Sequence, residues 1–188
     1  MNNTLPCLII IDMQKGMADP SAGERNNPHA EDNIARLLAA WRTAGAYVVH
    51  VRHISRSPIS PFALGQSGVL FQEALQPLAH EHVVEKNVPD AFINTALERW
   101  LRMRAVNDIV VIGVSTNNSV EASARTAGNL GFKTTVVSDA CFTFAKRDYA
   151  GVRRSADEVH AMSLANLDGE YAAILDTQAV LQFVAAAA

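Results

Sequence analysis

Three side chains that can move protons or hold charge stand where apolar runs stop. Asp12 closes the run Leu8–Ile11, Lys86 follows the short run at Val83–Val84, and Ser119 ends STNNS, directly after the run Ile109–Val114. A carboxylate at the end of a buried run is partly desolvated, and a neighbouring cation then sets its pKa, which is what a general acid or base requires. A lysine beside such a carboxylate holds charge at a reacting centre. A hydroxyl in the first turn of a helix meets free backbone N–H groups and the positive end of the helix dipole, where a nucleophile or an oxyanion hole is built. Each residue also has a plainer role. Asp12 can cap the turn Met13–Met17, Lys86 can be a solvated cation, and Ser115, Thr116, Asn117, Asn118 and Ser119 can simply cap a helix. Singly none is specific; their shared location carries the information.

That location follows from the order of elements. Hydropathy and punctuation predict strand Leu8–Ile11, helix Glu31–Ala44, strand Tyr47–Arg52, a loop to about Val69, a short strand near Val83–Val84 and helix Thr95–Met103. Strand Ile109–Val114, helix Ser119–Leu130, strand Thr134–Val137, helix Ala156–Leu167 and a short strand near Ala172–Leu175 follow. Gly45 and Gly131 stand where helices must stop, and Ala185–Ala188 reads as a frayed tail. Strands alternating with helices imply an α/β fold: one domain over residues 1–188, a mostly parallel sheet and helices on both faces. Uninterrupted apolar runs such as Leu8–Ile11 suit strands buried on both sides. In such sheets ligands bind at the carboxyl ends of the strands, the edge where Asp12, the His50–His53 region and Ser115–Ser119 all fall.

Composition narrows the partners. With 188 residues and a net charge of −3 from 16 basic and 19 acidic side chains, the chain has no electrostatic footprint for nucleic acid and no basic tract for a membrane surface. A small molecule and further copies of the chain are the expected partners. Cys7 and Cys141 sit in or beside apolar runs, as reduced core residues of a cytoplasmic protein. The start of the chain has neither a basic leader nor a membrane-length apolar run. His50 and His53 point to opposite faces of one strand with no carboxylate near them in sequence, which argues against a metal. His50 reads as a core histidine and His53 as a pocket residue. GVSTNNS lacks the second glycine of a dinucleotide fingerprint, so no cofactor is expected. Arg125 and Glu170 read as surface or ion-pair residues.

The stretches IIIDMQKG, VVEKNVPDAFINTALERWL and VVIGVSTNNSVEASARTAGNLGFKTTVVSDA, in that order, resemble the isochorismatase-like cysteine hydrolases, a superfamily that includes nicotinamidases, carbamoylsarcosine amidohydrolase, ureide and biuret hydrolases and isochorismatase. The resemblance covers nearly the whole chain and implies a Rossmann-like three-layer fold, a homo-oligomer (dimer or tetramer) and hydrolysis of a small polar molecule. An amide or ureide C–N bond is the expected target, or else a vinyl ether. It implies catalytic roles for Asp12 and Lys86, a cis peptide at Val114–Ser115, and an oxyanion hole from the N–H groups of Ser115 and Ser119. Phe92 is implied as a pocket wall, and His53 and Asn118 join it in the expected substrate pocket. The family's cysteine position holds Ser119. An introduced Cys-to-Ser change, hydrolysis without a covalent thioester, and lost catalysis with a retained binding or scaffold role each accommodate it. Cys141, after the next strand, is in the wrong place to substitute. Alanines along Glu121–Ala127 suit close packing on a neighbouring copy or on the chain's own sheet.

Overall fold

The computed structural model describes residues 5–187. Its centre is strand β1, Cys7–Ile11, every residue of which is buried. Because side chains alternate across a strand, Cys7, Ile9 and Ile11 enter one apolar core and Leu8 and Ile10 enter another. Strand β1 pairs with β2 (Val48–His53) on one side and with β4 (Asp108–Val114) on the other. With β3 (His82–Lys86), β5 (Lys133–Phe142) and β8 (Ala173–Leu175) they form a six-stranded sheet in the order β3-β2-β1-β4-β5-β8. All five pairings are parallel. A small antiparallel hairpin, β6 (Lys146–Arg147) with β7 (Arg153–Arg154), lies apart.

Each face is covered by the helices whose apolar stripes fit it. Helix α1, Ala30–Thr43, buries Ile34, Leu37, Leu38 and Trp41 at helical spacing against Leu8 and Ile10. The Trp41 indole N–H finds the Pro6 carbonyl at 2.7 Å, satisfying the one polar atom it brings inside. Helices α2 (Leu97–Arg102), α3 (Glu121–Asn129) and α4 (Ala156–Leu167) contribute Leu97, Leu101, Ala124, Ala127 and Leu167 to the opposite core. The alanine face of α3 is therefore spent on the chain's own sheet, the second of the two roles it suited. Helix α4 begins with a full capping box between Ser155 and Glu158. Ser155→Ala is expected to cost about 1 kcal/mol, read as a lower urea midpoint with an unchanged slope.

The sheet and its helices match the sequence reading, with α4 coinciding in both. Away from the turn after β4, three elements differ. The hairpin β6–β7 has no counterpart in that reading. Strand β5 runs on to Phe142, well past Val137. Residues Thr177–Ala187 form a helix, α5, so Ala185–Ala187 are not a frayed tail, and Ala188 lies outside the described residues. Helix α5 packs on α1 and the end of the sheet through Val180 and Val184. Asp176 caps it through the Ala179 N–H at 2.7 Å, a start signal present in the sequence.

A buried ion pair at the end opposite the strand termini gives the fold a defined acid sensitivity. Glu81 accepts two hydrogen bonds from Arg42, at 2.8 and 2.9 Å, and lies 2.9 Å from His50 Nε2. Burial alone would raise its pKa, but Arg42, the Leu78 N–H and His50 outweigh burial and bring it from 4.5 to about 2. The contribution is complete above about 4.5 and is lost as pH falls toward 2, amounting to about 3 kcal/mol. Urea unfolding between pH 6 and pH 3 is expected to show the larger part of that loss, about 2 kcal/mol, and Glu81→Gln to flatten it.

Candidate active site

Asp12 follows β1, Lys86 ends β3, and Ser119 lies in the turn after β4, so all three reach one edge of the sheet. β1 and β3 are not neighbours, because β2 runs between them. Two strand spacings, roughly 10 Å, must be crossed, and a side chain of lysine's length does it. Lys86 Nζ donates to Asp12 Oδ2 at 2.6 Å and to Ser119 Oγ at 3.2 Å. Asp12, Lys86 and Ser119 are 1%, 3% and 5% exposed, so the solvated-lysine and simple-cap roles fall away. Asp12 Oδ1, in contrast, is buried with no hydrogen-bond partner. Burial pushes the Asp12 carboxyl above the ordinary carboxylate range, and the charge and hydrogen bond of Lys86, followed by the Ser119 hydroxyl, oppose that. Asp12 itself is left-handed, at φ 52°, which turns the chain sharply away from β1.

The segment bearing Ser119 differs from the helix start expected of it. Thr116–Val120 is a single π-turn that leads into α3 at Glu121, and neither the turn nor α3 has a side-chain N-cap hydrogen bond. The polar side chains of the turn are used in tertiary contacts. Thr116 Oγ1 shares a 2.8 Å hydrogen bond with His160 Nδ1 from α4, and Asn117 pairs with Thr143. Ser163 Oγ, also from α4, lies 3.0 Å from the Thr116 carbonyl oxygen and 2.6 Å from Glu121 Oε2. These groups hold Ser119 inward while Asn118 faces solvent. The Val114–Ser115 peptide bond is cis.

Other residues singled out in the sequence fall around this centre at different depths. His53 is the last residue of β2, half-buried and edge-on to Phe62 with centroids 6.3 Å apart. Burial, and then Lys86, lowers its pKa, which Asp12 opposes. Phe92 is largely absorbed into the core, packed on Phe132. Ser115 and Asn118 line a pocket of about 430 Å³ with Asn117, Thr143, Phe144 and Lys146. His50 does have a carboxylate beside it, Glu81, brought in by the fold from 31 positions away, and is satisfied as a core histidine. Cys7 and Cys141 are free, buried thiols. Burial pushes the pKa of Cys141 up to about 12, which leaves it inert on β5. Arg125 pairs with Glu121 at 2.9 Å.

Sequence reasoning missed Gln14. Its side chain is wholly buried and accepts the His53 N–H at 2.8 Å. Its amide donates to the carbonyls of His53 at 3.0 Å and Val69 at 2.9 Å. It thus fastens the long loop after β2 to the end of β1. A polar residue two positions after Asp12 in IIIDMQ was the available signal. Its partners, 39 and 55 positions away, were not.

A doubly covered parallel sheet with a carboxylate, a lysine and a hydroxyl converging on its carboxyl edge defines a class of α/β hydrolytic scaffold. The chain belongs to the isochorismatase family: the Isochorismatase domain model matches residues 6–179. It is 38% identical to an isochorismatase family protein, YrdC, of Bacillus subtilis over 93% of both chains. It is 30% identical to maleamate amidohydrolase of Pseudomonas putida over 94% of this chain and 85% of that one. A solved structure of an isochorismatase-family protein from Chromobacterium violaceum superposes with a TM-score of 0.95 at 49% identity, covering 98% of this chain and 95% of that one.

Proposed function

We propose that the chain hydrolyses a small polar molecule at an amide or ureide C–N bond, with Asp12 as the acid–base group, and that water attacks directly. The observation that carries this is the buried, unpartnered Asp12 Oδ1 beside Lys86 and Ser119. Oδ2 is occupied by Lys86, so Oδ1 is the atom available to take a proton from an attacking water and return it to the leaving nitrogen. The raised pKa of Asp12 suits it to both halves of that cycle. Lys86 donates to both neighbours, so it serves as a fixed positive charge and not as the neutral base of a Ser–Lys pair. Ser119 stands where the family resemblance places a cysteine. Its hydroxyl accepts from Lys86, and in this reading Ser119 orients water and substrate without attacking. In this reading the N–H groups of Ser115 and Ser119 receive the developing oxyanion, and His53, Phe92 and Asn118 bound the substrate. That a relative is a maleamate amidohydrolase supports amide chemistry over vinyl-ether cleavage.

An ammonia-release screen over small amides and ureides, including carboxylate-bearing ones, tests this. Turnover that survives Ser119→Ala within about tenfold supports direct attack by water. A loss of three orders of magnitude would instead make Ser119 the nucleophile. If the chain is silent and Ser119→Cys turns over, the protein is a binding member of the family, which the serine itself favours as the second reading.

A further inference from the structure

β3 and β4 are separated in the sheet by β2 and β1, so no strand pairing fixes Lys86 relative to the turn that bears Ser119. A buried hydroxyl makes that connection. Ser123, one turn into α3 and 1% exposed, accepts a hydrogen bond from the Ala91 N–H at 2.9 Å and donates one to the Ser119 carbonyl oxygen at 2.7 Å. A serine bonded to the carbonyl four residues back is an ordinary local arrangement. The bond from Ala91 is not local: it comes from the loop of residues 87–91 that leads directly out of Lys86. A second tie lies farther along the same helix. The Thr126 hydroxyl donates to Asp90 Oδ2, and Asp90 Oδ1 accepts the Phe92 N–H at 2.8 Å. Loop and helix are thus fastened at adjoining points, and the inner fastening ends on the backbone of residue 119 itself.

We propose that Ser123 is a positioning residue that sets the separation between the Lys86 ammonium and the side chain at 119, by holding the Ser119 backbone and the loop after Lys86 to one hydroxyl. The proposal rests on the reading that Asp12, Lys86 and Ser119 form the reacting centre. It is nonetheless separable from turnover, because the separation of Lys86 from residue 119 can be read in a protein that hydrolyses nothing. Alanine in place of Ser123 keeps the helix but has neither the proton for Ser119 nor the lone pair for Ala91. The 3.2 Å contact between Lys86 and Ser119 is already at the long end for a hydrogen bond, so a small drift of the loop breaks it.

The test uses the full chain carrying Ser119→Cys, in which the new thiol reports the charge beside it. Cys7 and Cys141 are buried and their thiols are shifted far up, so the introduced group is the one that ionises in the neutral range. Lys86, Asp12 and the half-buried His53 are the charged or titratable groups around it. The pH profile of iodoacetamide alkylation, with thiolate absorbance as a second readout, is expected to place the thiol below the free-thiol value of ~8.5. Adding Ser123→Ala is expected to raise it by about one pH unit, roughly a tenfold loss of thiolate at pH 7. Ser123→Thr, which keeps the hydroxyl, is expected to restore it. A merely structural serine would lower the melting temperature and leave the thiol's ionisation where it was, and that result overturns the proposal. If Ser123→Ala does not fold, Ser123→Gly, read at low temperature, also removes the hydroxyl that joins Ala91 to Ser119 and reports the same quantity: an upward shift supports the proposal, and an unmoved profile overturns it.

Discussion

Asp12→Asn is expected to lower turnover about 10²–10⁴-fold, the contribution of a positioned acid–base group, while Lys86→Met removes both turnover and several kcal/mol of stability. The two losses have different origins. Asparagine keeps the shape of Asp12 and tolerates its left-handed backbone, but it cannot take a proton at the position of Oδ1. Methionine at 86 keeps the stem and deletes the charge, stranding a buried carboxylate whose remaining oxygen already lacks a partner. Breaking one side of such a pair costs about 3–5 kcal/mol, whereas replacing both sides costs far less. The double variant Asp12→Asn/Lys86→Met is therefore expected to unfold at a higher urea concentration than Lys86→Met alone. If stability falls by the sum of the two single changes, the pair is not coupled and the account of the site's electrostatics is wrong.

Gly113→Ala is expected to destabilise by more than about 4 kcal/mol, an exceptional range for one methyl group. Gly113 has φ +119°, a conformation that L side chains rarely adopt, and a Cβ there would sit 2.1 Å from the Ile11 carbonyl oxygen. That oxygen belongs to β1, the strand paired with β4 at Gly113, so the clash is between backbones at the centre of the sheet and cannot be relieved by turning a side chain. The register between β4 and β5 also shifts between Val111 and Gly113. This irregularity re-aims the last residues of β4 toward the turn that carries Ser119. A full-length variant with an unchanged urea midpoint would sink this reading. Where Gly113→Ala folds only at low temperature, Ser119 is expected to lose its contact with Lys86 along with the stability.

Much of the scaffold was legible because its signals are local. The apolar runs of β1 and β4, the helix Ala156–Leu167 and the stripe of α1 each lie within a dozen or so residues, and hydropathy period and glycine stops read at that range. Helix α5 was missed although Asp176 and the spacing of Val180 and Val184 are local signals, because its alanine-rich end reads as a tail. The extension of β5 to Phe142 had no local signal. It is held by Asn27, whose amide donates to the carbonyls of Ser138 and Cys141 across more than a hundred residues.

The site divides along the same line. Residue type and position at strand ends determined that Asp12, Lys86 and the Ser115–Ser119 segment would meet at one edge, because a parallel sheet delivers the ends of all its strands to the same side. Which atoms face one another was decided only by the tertiary structure. The order of strands puts β2 between the carboxylate and the lysine, Thr116 is drawn to His160 instead of capping a helix, and Ser123 joins loop to helix. Hydrogen bonds act over about 3 Å in space and carry no trace of the sequence separation they bridge. A chain can therefore announce its reactive residues at the ends of its strands while the partners that orient them stay hidden until it folds.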